Sequence, residues 1–403
     1  MSQIRERSSV TVQIDHTQLG SGYDRQTCWL HARVGIHPTA NAGAPRYVTT
    51  LQRLTLSGSD VYGPIHSMSA PNWDGPWTEP YQQEGFTWTE HNRAVCDFWP
   101  IWHEASQTLL GTGHTVAYTD GVVDGTKARY TSYAQYRPDT DSWSPARLLE
   151  MPDEPAFLRS GAGCAQWVEE ADGGILLPVY FGVGHLTSAI VRCRFDGATL
   201  SYVAHGSAHS IDAGRGLYEP SLITYDGRYF LTLRNDEGGH LAVSTDGLQY
   251  TDPTPWRFDD GTTLGSCNTQ QHWVVLADGP YLVYTRSGLD NDHVFRHRAP
   301  LLMSRLDTDR LLLLRDTEQV VIGERGAGLG NFGTCQGPGQ TAYVMASESM
   351  QNVGPALVAA RTKLALRAGP EQIAQWEATD NGCAICEQFG SDNTIWLARV
   401  RAT

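Results

Sequence analysis

The feature that most constrains the fold of this chain is a recurring unit of short apolar strands and tight turns. Each unit starts with a strand whose first residues are small or polar, and it continues through a turn such as Asp-Gly into further strands. The units follow one another at roughly 50 to 70 residues, a period typical of solenoids and propellers. The first strands of the units are predicted at 27–36, 94–103, 160–170, 218–225, 267–276 and 330–336, with a seventh candidate at 383–389.

These units predict an all-β fold, because a ring of four-stranded sheets leaves no long sheet edge exposed. The 403 residues include 41 glycines and 12 tryptophans but only 18% charged residues, as in turn-rich β proteins. We predict a single β-propeller domain covering 1–403, with six four-stranded blades, or seven if 383–389 begins a blade. A strand at 9–14 is expected to complete the last blade beside 395–400, and one short helix is predicted at 370–378.

The charge of the chain limits its partners. A net charge of −14 argues against nucleic acid or an anionic membrane surface as a partner. Residues 1–15 lack the apolar core of a signal peptide, and no stretch approaches the length of a membrane span. We therefore expect a cytoplasmic protein, unless a signal was removed, without nucleic-acid or membrane partners. An anionic small substrate still fits if local arginines outweigh the overall charge.

The eight cysteines are mostly isolated from one another in the sequence. Cys383 and Cys386 form one C-x-x-C motif, but neither a second cysteine pair nor a histidine pair accompanies it. We expect reduced, buried cysteines that pack as small apolar side chains. No cofactor and no metal site are predicted.

The most informative local stretch is the predicted hairpin at 216–236. Two apolar runs are joined by Asp226-Gly227, a pair that favours a tight hairpin turn. The far end of the hairpin carries Tyr218, Glu219 and Arg234, and antiparallel pairing brings the glutamate and the arginine side by side. A carboxylate, a phenol and a guanidinium therefore meet at one sheet edge, either as a reactive site or as an edge salt bridge.

Propellers place functional groups where the inner strands open onto one face of the central channel. The candidates are polar residues near the ends of the first two strands of each blade, away from the Asp-Gly turn. They are His31, Arg33, Asp97, His103, His114, Arg159, Tyr180, Asn235, Asn268, Gln270, Gln271, His272, Tyr284, Arg286 and Asn331, together with the three hairpin residues. Because side chains alternate along a strand, some of these must point into the packing between blades.

Two arginines form the clearest regularity among these candidates. Arg234 and Arg286 each end the second strand of a unit. Guanidinium groups that converge on one channel repel one another, which is tolerated where an anion such as a carboxylated sugar binds. Each arginine could equally pair with a structural carboxylate. Likewise, His103 and His114 could act as an acid and a base near neutrality or could be hydrogen-bonded structural residues.

The run from Ser244 to Tyr250 resembles the Asp-box, a turn of the form S-x-D-x-G-x-x-W/Y, here with one residue fewer before the aromatic. With the hairpin, this turn makes the chain similar to the sialidase-like propeller superfamily, also known as BNR-repeat propellers. The resemblance implies that the turn lies between the third and fourth strands of a blade. It also implies that Glu219 would support a tyrosine nucleophile, and that Arg33, Arg234 and Arg286 would clamp a sialic acid carboxylate.

The sequence departs from that pattern in three places. The F/Y-R-x-P signature is missing at 31–35, and Asn331 and Phe332 stand where the nucleophilic tyrosine belongs. No aspartate clearly matches the acid/base residue of the superfamily.

The hairpin also resembles that of propeller polysaccharide lyases and their rhamnosidase relatives, which act on uronate-rich glycans. The resemblance implies that Arg234 would neutralise a uronate carboxylate, while Tyr218 and the histidines His103 and His114 would transfer protons during β-elimination. The D-x-H-N run that often precedes the histidine in these lyases is missing.

We predict a carbohydrate-active enzyme that cleaves a glycosidic bond at a carboxylated sugar in an acidic oligosaccharide or polysaccharide. Sialidase-like exo-hydrolysis is placed first, β-elimination by a polysaccharide lyase second, and a non-catalytic glycan-binding propeller is the third alternative. The predicted catalytic residues are Glu219, Tyr218, His114 and His103. The predicted substrate-binding residues are Arg33, Arg234, Arg286, Tyr180, Asn268, Gln270 and Tyr284.

Overall fold

The structure, a computed structural model, contains six antiparallel sheets that form the six blades of a β-propeller. It describes residues 11–41, 43–56, 60–86, 92–366, 369–371, 374 and 382–402. All six predicted first strands of the repeating unit lie in the innermost strands of the blades or in the turns that lead into them. The predicted all-β propeller is therefore confirmed, with six blades.

The strands are numbered in chain order and grouped here by blade. The first blade contains β2 (Thr27–Asn41), β3 (Ala44–Thr55), β4 (Tyr62–Ser67), β5 (Ser69–Ala70) and β6 (Tyr81–Gln82). The second contains β7 (Arg93–His103), β8 (Thr108–Thr119), β9 (Val122–Val123), β10 (Thr131–Arg137), β11 (Ser142–Trp143) and β12 (Arg147–Leu148). The third contains β13 (Ser160–Gly161), β14 (Val168–Glu169), β15 (Gly174–Val183), β16 (His185–Phe195) and β17 (Leu200–His205).

The remaining strands form the other three blades. The fourth contains β18 (Tyr218–Tyr225), β19 (Arg228–Arg234), β20 (His240–Ser244) and β21 (Thr254–Pro255). The fifth contains β22 (His272–Leu276), β23 (Gly279–Tyr284), β24 (Leu301–Asp307), β25 (Leu312–Leu313) and β26 (Gln319–Ile322). The sixth contains β27 (Gly333–Gln336), β28 (Thr341–Ser347) and β29 (Ile395–Ala402), with β1 (Val12–Gly20) at its outer edge.

The N-terminal strand β1 pairs with the C-terminal strand β29, so both ends of the described chain contribute to one blade. The strands are antiparallel, and Ile14 lies opposite Val400. The strand expected at 9–14 thus occupies the expected position from Val12 onward, while residues 9 and 10 lie outside the described residues. This pairing ties the first described strand to the last one, and opening the ring requires breaking it.

Apolar side chains fill the boundaries between consecutive blades, because each inner-face residue packs against the neighbouring sheet. Every one of the six boundaries has its own buried cluster. The clusters include, in blade order, Phe98, Trp167, Leu222, Trp273, Phe332 and Tyr343. The blades are therefore held by a closed series of apolar contacts.

In the part of the chain that the structure describes, two helices with defined bounds lie between β28 and β29 of the sixth blade. They are α1 (Pro355–Ala365) and α2 (Gly382–Glu387). The strand predicted at 383–389 is wrong, because Cys383 and Cys386, three residues apart, lie on the buried face of α2. There is accordingly no seventh blade at this position. The helix predicted at 370–378 falls mostly outside the described residues, and none of the described helices is long and apolar enough to span a membrane.

The hairpin of β18 and β19 has the predicted turn. Asp226 and Gly227 have φ angles of 49° and 70°, as a type I′ turn requires of its two central residues. The Asp-box-like turn lies between β20 and β21, the third and fourth strands of the same blade. There, the Asp246 carboxylate accepts hydrogen bonds from the amides of Leu248 and Gln249.

Three inner strands share a β-bulge near their first ends. In β2, β7 and β18, the pairing with the next strand shifts by one residue, and the bulge begins at His31, Asp97 and Glu219 respectively. All three residues have φ angles near 50°. The bulges break the in-and-out alternation of the strand and direct these three side chains toward the channel.

Candidate active site

A polar pocket of about 350 Å³ opens at the end of the channel where the inner strands begin. The three bulge residues His31, Asp97 and Glu219 all line it. Six of the predicted site residues line the pocket, namely His114, Tyr180, Tyr218, Glu219, Arg234 and Gln270. The remaining lining residues include Asp60, Tyr62, Arg129, Arg215, Arg296, Arg298 and Asn331.

Aromatic side chains close the channel beneath the pocket. Trp99 and His272 are fully buried with ring centroids 4.6 Å apart, and His272 lies 4.7 Å from the ring of Phe332. Arg33 is also fully buried here and lies over the indole of Trp99 at 5.1 Å. A ligand therefore enters from one face only.

One corner of the pocket is built by the hairpin of β18 and β19. Arg234 forms an ion pair with Glu219, and both side chains are largely buried, at 6% and 13% exposure. Burial opposes the charge of Arg234, but the neighbouring Glu219 raises the pKa of the guanidinium. The second guanidinium nitrogen donates to the side chain of Asn268. The salt bridge expected from the sequence is thus present, and it forms part of the pocket wall.

Tyr218 lies beside this ion pair with its hydroxyl surrounded by polar groups. The oxygen is 2.6 Å from Asp236 Oδ1 and 2.9 Å from Asn268 Oδ1, and Arg215 donates to it at 2.7 Å. Burial raises the pKa of the phenol to about 12. The hydroxyl is therefore held protonated in a network of side chains.

The opposite wall is organised around Asp97. Its Oδ1 atom lies 3.0 Å from His31 Nε2 and accepts from Cys164 Sγ at 2.6 Å, and the Arg33 guanidinium is 3.6 Å away. Burial alone would raise the pKa of Asp97, but the two histidines that face it and Arg33 lower it to about 2. His114 Nε2 is 3.9 Å from the other carboxylate oxygen. Asp97 is thus a buried carboxylate in contact with two imidazoles.

His114 links Asp97 to a second phenol. Its Nδ1 atom lies 3.2 Å from the hydroxyl of Tyr180, which is 4% exposed. Burial lowers the pKa of His114 to about 3, so the imidazole is neutral near pH 7. An acceptor-only carboxylate facing Nε2 favours the tautomer with its proton there, which leaves Nδ1 free to accept from the phenol. We refer to Tyr180, His114 and Asp97 as the relay.

The glycine-rich run before Cys164 makes room for the relay. A Cβ atom on Gly163 would lie 1.8 Å from His114 Nδ1, a distance that no packed side chain can adopt. The imidazole therefore lies directly against the backbone of the third blade, and its position depends on glycine there.

A group of arginines lines the pocket near Glu219. Arg296 and Arg298 come from the connection between β23 and β24, and no described residue forms an ion pair with either. Burial, and then the charge of Arg234, lower the pKa values of both guanidinium groups, that of Arg298 to about 9. We call Arg234, Arg296 and Arg298 the arginine cluster. Positive charge that is only partly balanced is suited to hold an anion.

Five predicted site residues lie outside the pocket. His103 is at the far end of β7, six positions beyond Asp97, where its ring contacts Ser106 Oγ at 2.7 Å and the carbonyl of Gly173 at 3.1 Å. The length of the strand alone places it on the opposite face from the pocket. Arg33 lies beneath the floor and supports Asp97 rather than meeting a ligand.

Arg286 and Tyr284 belong to the packing of the fifth blade. Both contact Glu318, and the Arg286 to Glu318 ion pair is 2.6 Å long. This is the structural alternative that the sequence left open for each arginine. Asn268 does not line the pocket but fixes Arg234 and Tyr218 from behind.

Several pocket residues were not predicted as site residues. Asp60 lies in the connection between β3 and β4, and Arg129 precedes β10. Neither residue therefore lies at the end of the first or second strand of its blade, where the candidates were sought. Arg296 has a φ angle of 56° inside an irregular connection. The clustering of three basic residues at 296–298 was the available signal for this part of the site.

One group of described residues could offer donor atoms to a metal ion. Cys96, Asp97 and His114 place one such atom each within 4.8 Å of the others, and zinc accepts all three types. However, Asp97 Oδ1 is already engaged by Cys164, and the charge of Arg33 at 3.6 Å opposes another cation. We therefore interpret the group as a hydrogen-bonded network.

The buried histidines predict how stability depends on pH. Burial lowers the pKa values of His31, His114 and His272 below the value of about 6.5 in an unfolded chain. The unfolded chain therefore binds more protons below pH 6.5, and each histidine costs up to about 1.4 kcal/mol of stability per pH unit there. We expect the melting temperature to fall from pH 7 to pH 5 and to fall less steeply in His114→Gln. A flat or rising profile would contradict this assignment.

Comparison with known proteins gives structural but no sequence relatives. No protein-family model matches the chain, and no curated protein sequence matches it at a significant level. Several solved structures are similar. A Hadza microbial sialidase, Hz136, has a TM-score of 0.58 at 11% identity, with 80% of this chain and 63% of that chain covered. A Trypanosoma rangeli sialidase in complex with sialic acid has a TM-score of 0.56 at 10% identity, with 96% and 58% covered.

A phage phi92 endosialidase has a TM-score of 0.59 at 11% identity, with 97% of this chain and 69% of that chain covered. The chain spans about three fifths of the length of the two sialidases described above. At such identities the similarity shows the fold alone. The fold is that of a sialidase-like β-propeller.

Proposed function

We propose that this sialidase-like propeller is a carbohydrate-active enzyme that cleaves a glycosidic bond at a carboxylated sugar. The observation that carries the proposal is the arginine cluster, in which two of three guanidinium groups lack a carboxylate partner among the described residues. These cations converge on one pocket in a chain of net charge −14. A sialate or uronate carboxylate would supply the missing anion. The sialic acid bound to a similarly folded sialidase supports the same class of ligand.

The relay faces this pocket and could perform the chemistry. Withdrawal of the Tyr180 proton by His114 would leave an imidazolium that Asp97 stabilises, as a carboxylate does in a Ser-His-Asp triad. In the hydrolytic form of the proposal, the Tyr180 phenolate attacks the anomeric carbon. Asp60 at the rim, or Glu219, in its carboxylic acid form protonates the leaving oxygen, and the resulting carboxylate then activates the water that cleaves the bond between the sugar and Tyr180. Tyr180, predicted from the sequence as a substrate-binding residue, would then be the nucleophile.

The second candidate is β-elimination at a uronate. It is favoured by the contact of His114 with Tyr180, since two adjacent proton-transfer groups opposite a carboxylate-binding cluster suit removal of the C5 proton. The arginine cluster would stabilise the charge that develops on the carboxylate. One of the two groups takes the C5 proton and the other protonates the glycosidic oxygen that leaves C4, so elimination needs no carboxylic acid at the pocket rim.

One assay separates the three outcomes. The chain is incubated with sialosides and uronate oligosaccharides while absorbance near 232 nm and reducing-sugar release are followed together. A rise in absorbance reports the unsaturated uronate and identifies elimination, whereas sugar release without the rise identifies hydrolysis. If neither signal appears but these ligands raise the melting temperature, the protein is a glycan-binding propeller and the enzymatic proposal is wrong.

Glu219→Gln tests which residues the reaction uses. If Glu219 is the acid of the hydrolytic form, we expect kcat to fall about 100-fold, because a neutral amide cannot transfer the proton. In elimination we expect a change of less than about tenfold in kcat, since His114 and Tyr180 carry the protons. Asn268→Asp is a useful comparison, because it places a new carboxylate beside Arg234 without removing one. If Asn268→Asp weakens substrate binding while Glu219→Gln leaves it unchanged, the role of Glu219 is limited to its ion pair with Arg234.

A further inference from the structure

A second cavity continues from the pocket across the second and third blades. Its volume is about 500 Å³, and five of its lining residues also line the pocket, among them Arg129 and Arg215. The two cavities are therefore parts of one cleft. We call the second cavity the side cleft.

The floor of the side cleft is apolar and its rim is basic. Val183 is 66% exposed and Val123 is 38% exposed along the floor. The rim carries Lys127, Arg129 and Arg159, and none of them forms an ion pair with any residue in the described part of the chain. A row of cations without carboxylate partners beside an apolar surface suits a sugar chain with acidic groups.

The acidic groups near the side cleft are already engaged. Asp124 accepts from the Thr126 hydroxyl and amide and from Thr119, which lower its pKa to about 2. Asp236 forms an ion pair with Arg215 at 2.7 Å. With one carboxylate against three unpaired cations, the side cleft keeps a net positive charge.

The Arg159 guanidinium also shapes the side cleft. It donates to the carbonyl oxygens of Gly125 and Thr126 and so holds the segment between β9 and β10 in place. Arg129 lies over the ring of Tyr180 at 4.5 Å, where it connects the side cleft to the relay. A sugar bound beyond the cleaved bond would thus reach the rim cations directly.

We propose that the side cleft binds a second acidic sugar, so that the substrate is an acidic oligosaccharide of at least two charged residues rather than a single terminal sugar. This inference rests on the proposed function, because it places the first carboxylate on the arginine cluster. A bound chain would then run from the arginine cluster past Arg129 toward Lys127.

Binding of oligomers of increasing length tests the proposal. The probes are α-1,4-linked galacturonate oligomers and α-2,8-linked sialic acid oligomers of one to four residues, measured by calorimetry. For the series that binds, we expect the dissociation constant to fall at least about tenfold from one residue to three. The ratio of the monomer's dissociation constant to the trimer's should shrink to about twofold in Lys127→Gln and in Lys127→Gln combined with Arg159→Gln. Added salt should weaken binding of the trimer more than that of the monomer.

The single variant Lys127→Gln keeps Arg159 and its contacts to the neighbouring segment. It therefore tests the side cleft even if the loss of Arg159 disturbs that segment. Arg310→Gln is the matched control, because Arg310 is exposed in a turn on the opposite face, and we expect it to leave the ratio unchanged. An unchanged ratio in Lys127→Gln, or no gain with length in the unmodified chain, would overturn this inference alone. Failure of every monomer and oligomer to bind would overturn the proposed function as well.

Discussion

Asp97→Asn is expected to lower kcat by about 10³-fold to 10⁴-fold while the protein stays folded. An analogous aspartate-to-asparagine change in a Ser-His-Asp triad has an effect of that order, because the histidine adopts the wrong tautomer. Here an amide facing Nε2 would favour a proton on Nδ1 of His114. Nδ1 could then no longer accept the proton of Tyr180, which lies 3.2 Å away.

The fold is expected to survive this change for a backbone reason, although stability falls because the buried Arg33 loses the carboxylate 3.6 Å away. Asp97 has a φ angle of 53°, and asparagine adopts that left-handed region more readily than most residues. The amide oxygen can still accept from Cys164, and it is almost the same size as the carboxylate. The measurement is kcat and KM on the substrate that the assay identifies, with circular dichroism as a check on folding. An active, folded Asp97→Asn variant would contradict the role of the relay.

Arg234→Ala is expected to have the largest combined effect on stability and binding. Removing one partner of a buried ion pair costs about 3 to 5 kcal/mol, because Glu219 would stay buried without its countercharge. Loss of a charged hydrogen bond to the substrate carboxylate would weaken binding about 10-fold to 100-fold. Chemical denaturation and substrate binding at a temperature where the variant is folded measure the two effects separately.

The fifth blade supplies a matched control for this variant. Arg286 and Glu318 form an ion pair of similar burial, at 15% and 14% exposure, outside the pocket. We expect Arg286→Ala to lose stability, though less because Glu318 keeps Arg315 at 3.4 Å, and to bind the substrate normally. If both variants lose binding equally, the loss reflects unfolding, and the assignment of Arg234 to the carboxylate is wrong.

Most of the fold could be predicted from the sequence because it depends on local patterns. The Asp226-Gly227 turn and the alternation around it specify the hairpin of the fourth blade, and Asp-Gly pairs also stand at the corresponding turns of the third and fifth blades. The segment at 383–389 was mistaken for a strand because a short apolar run fits both the two-residue period of a strand and the 3.6-residue period of a helix. Cys383 and Cys386, three residues apart, follow the period of the helix.

The candidate site could be predicted only in part, because the side chains in it do not follow strand alternation. A bulge turns Asp97 toward the pocket, and no residue pattern marks the position of a bulge. His103 has suitable chemistry, but the length of β7 places it at the end of the strand remote from the pocket. Arg298 comes from a long irregular connection, where the sequence specifies no direction for the side chain.

The repeated bulge has a consequence for how such a chain can change over time. His31, Asp97 and Glu219 stand at the same backbone position of three blades, and Cys164 and Asn268 have similar φ angles at the corresponding ends of two more. None of these five residues belongs to an apolar cluster between blades, so we expect substitutions there to leave the clusters intact. The blades can therefore stay unchanged while the bulge residues are substituted, so that a new specificity requires a few substitutions and no new fold. The left-handed backbone limits which residue types these positions tolerate, because it costs roughly 1 kcal/mol for most side chains.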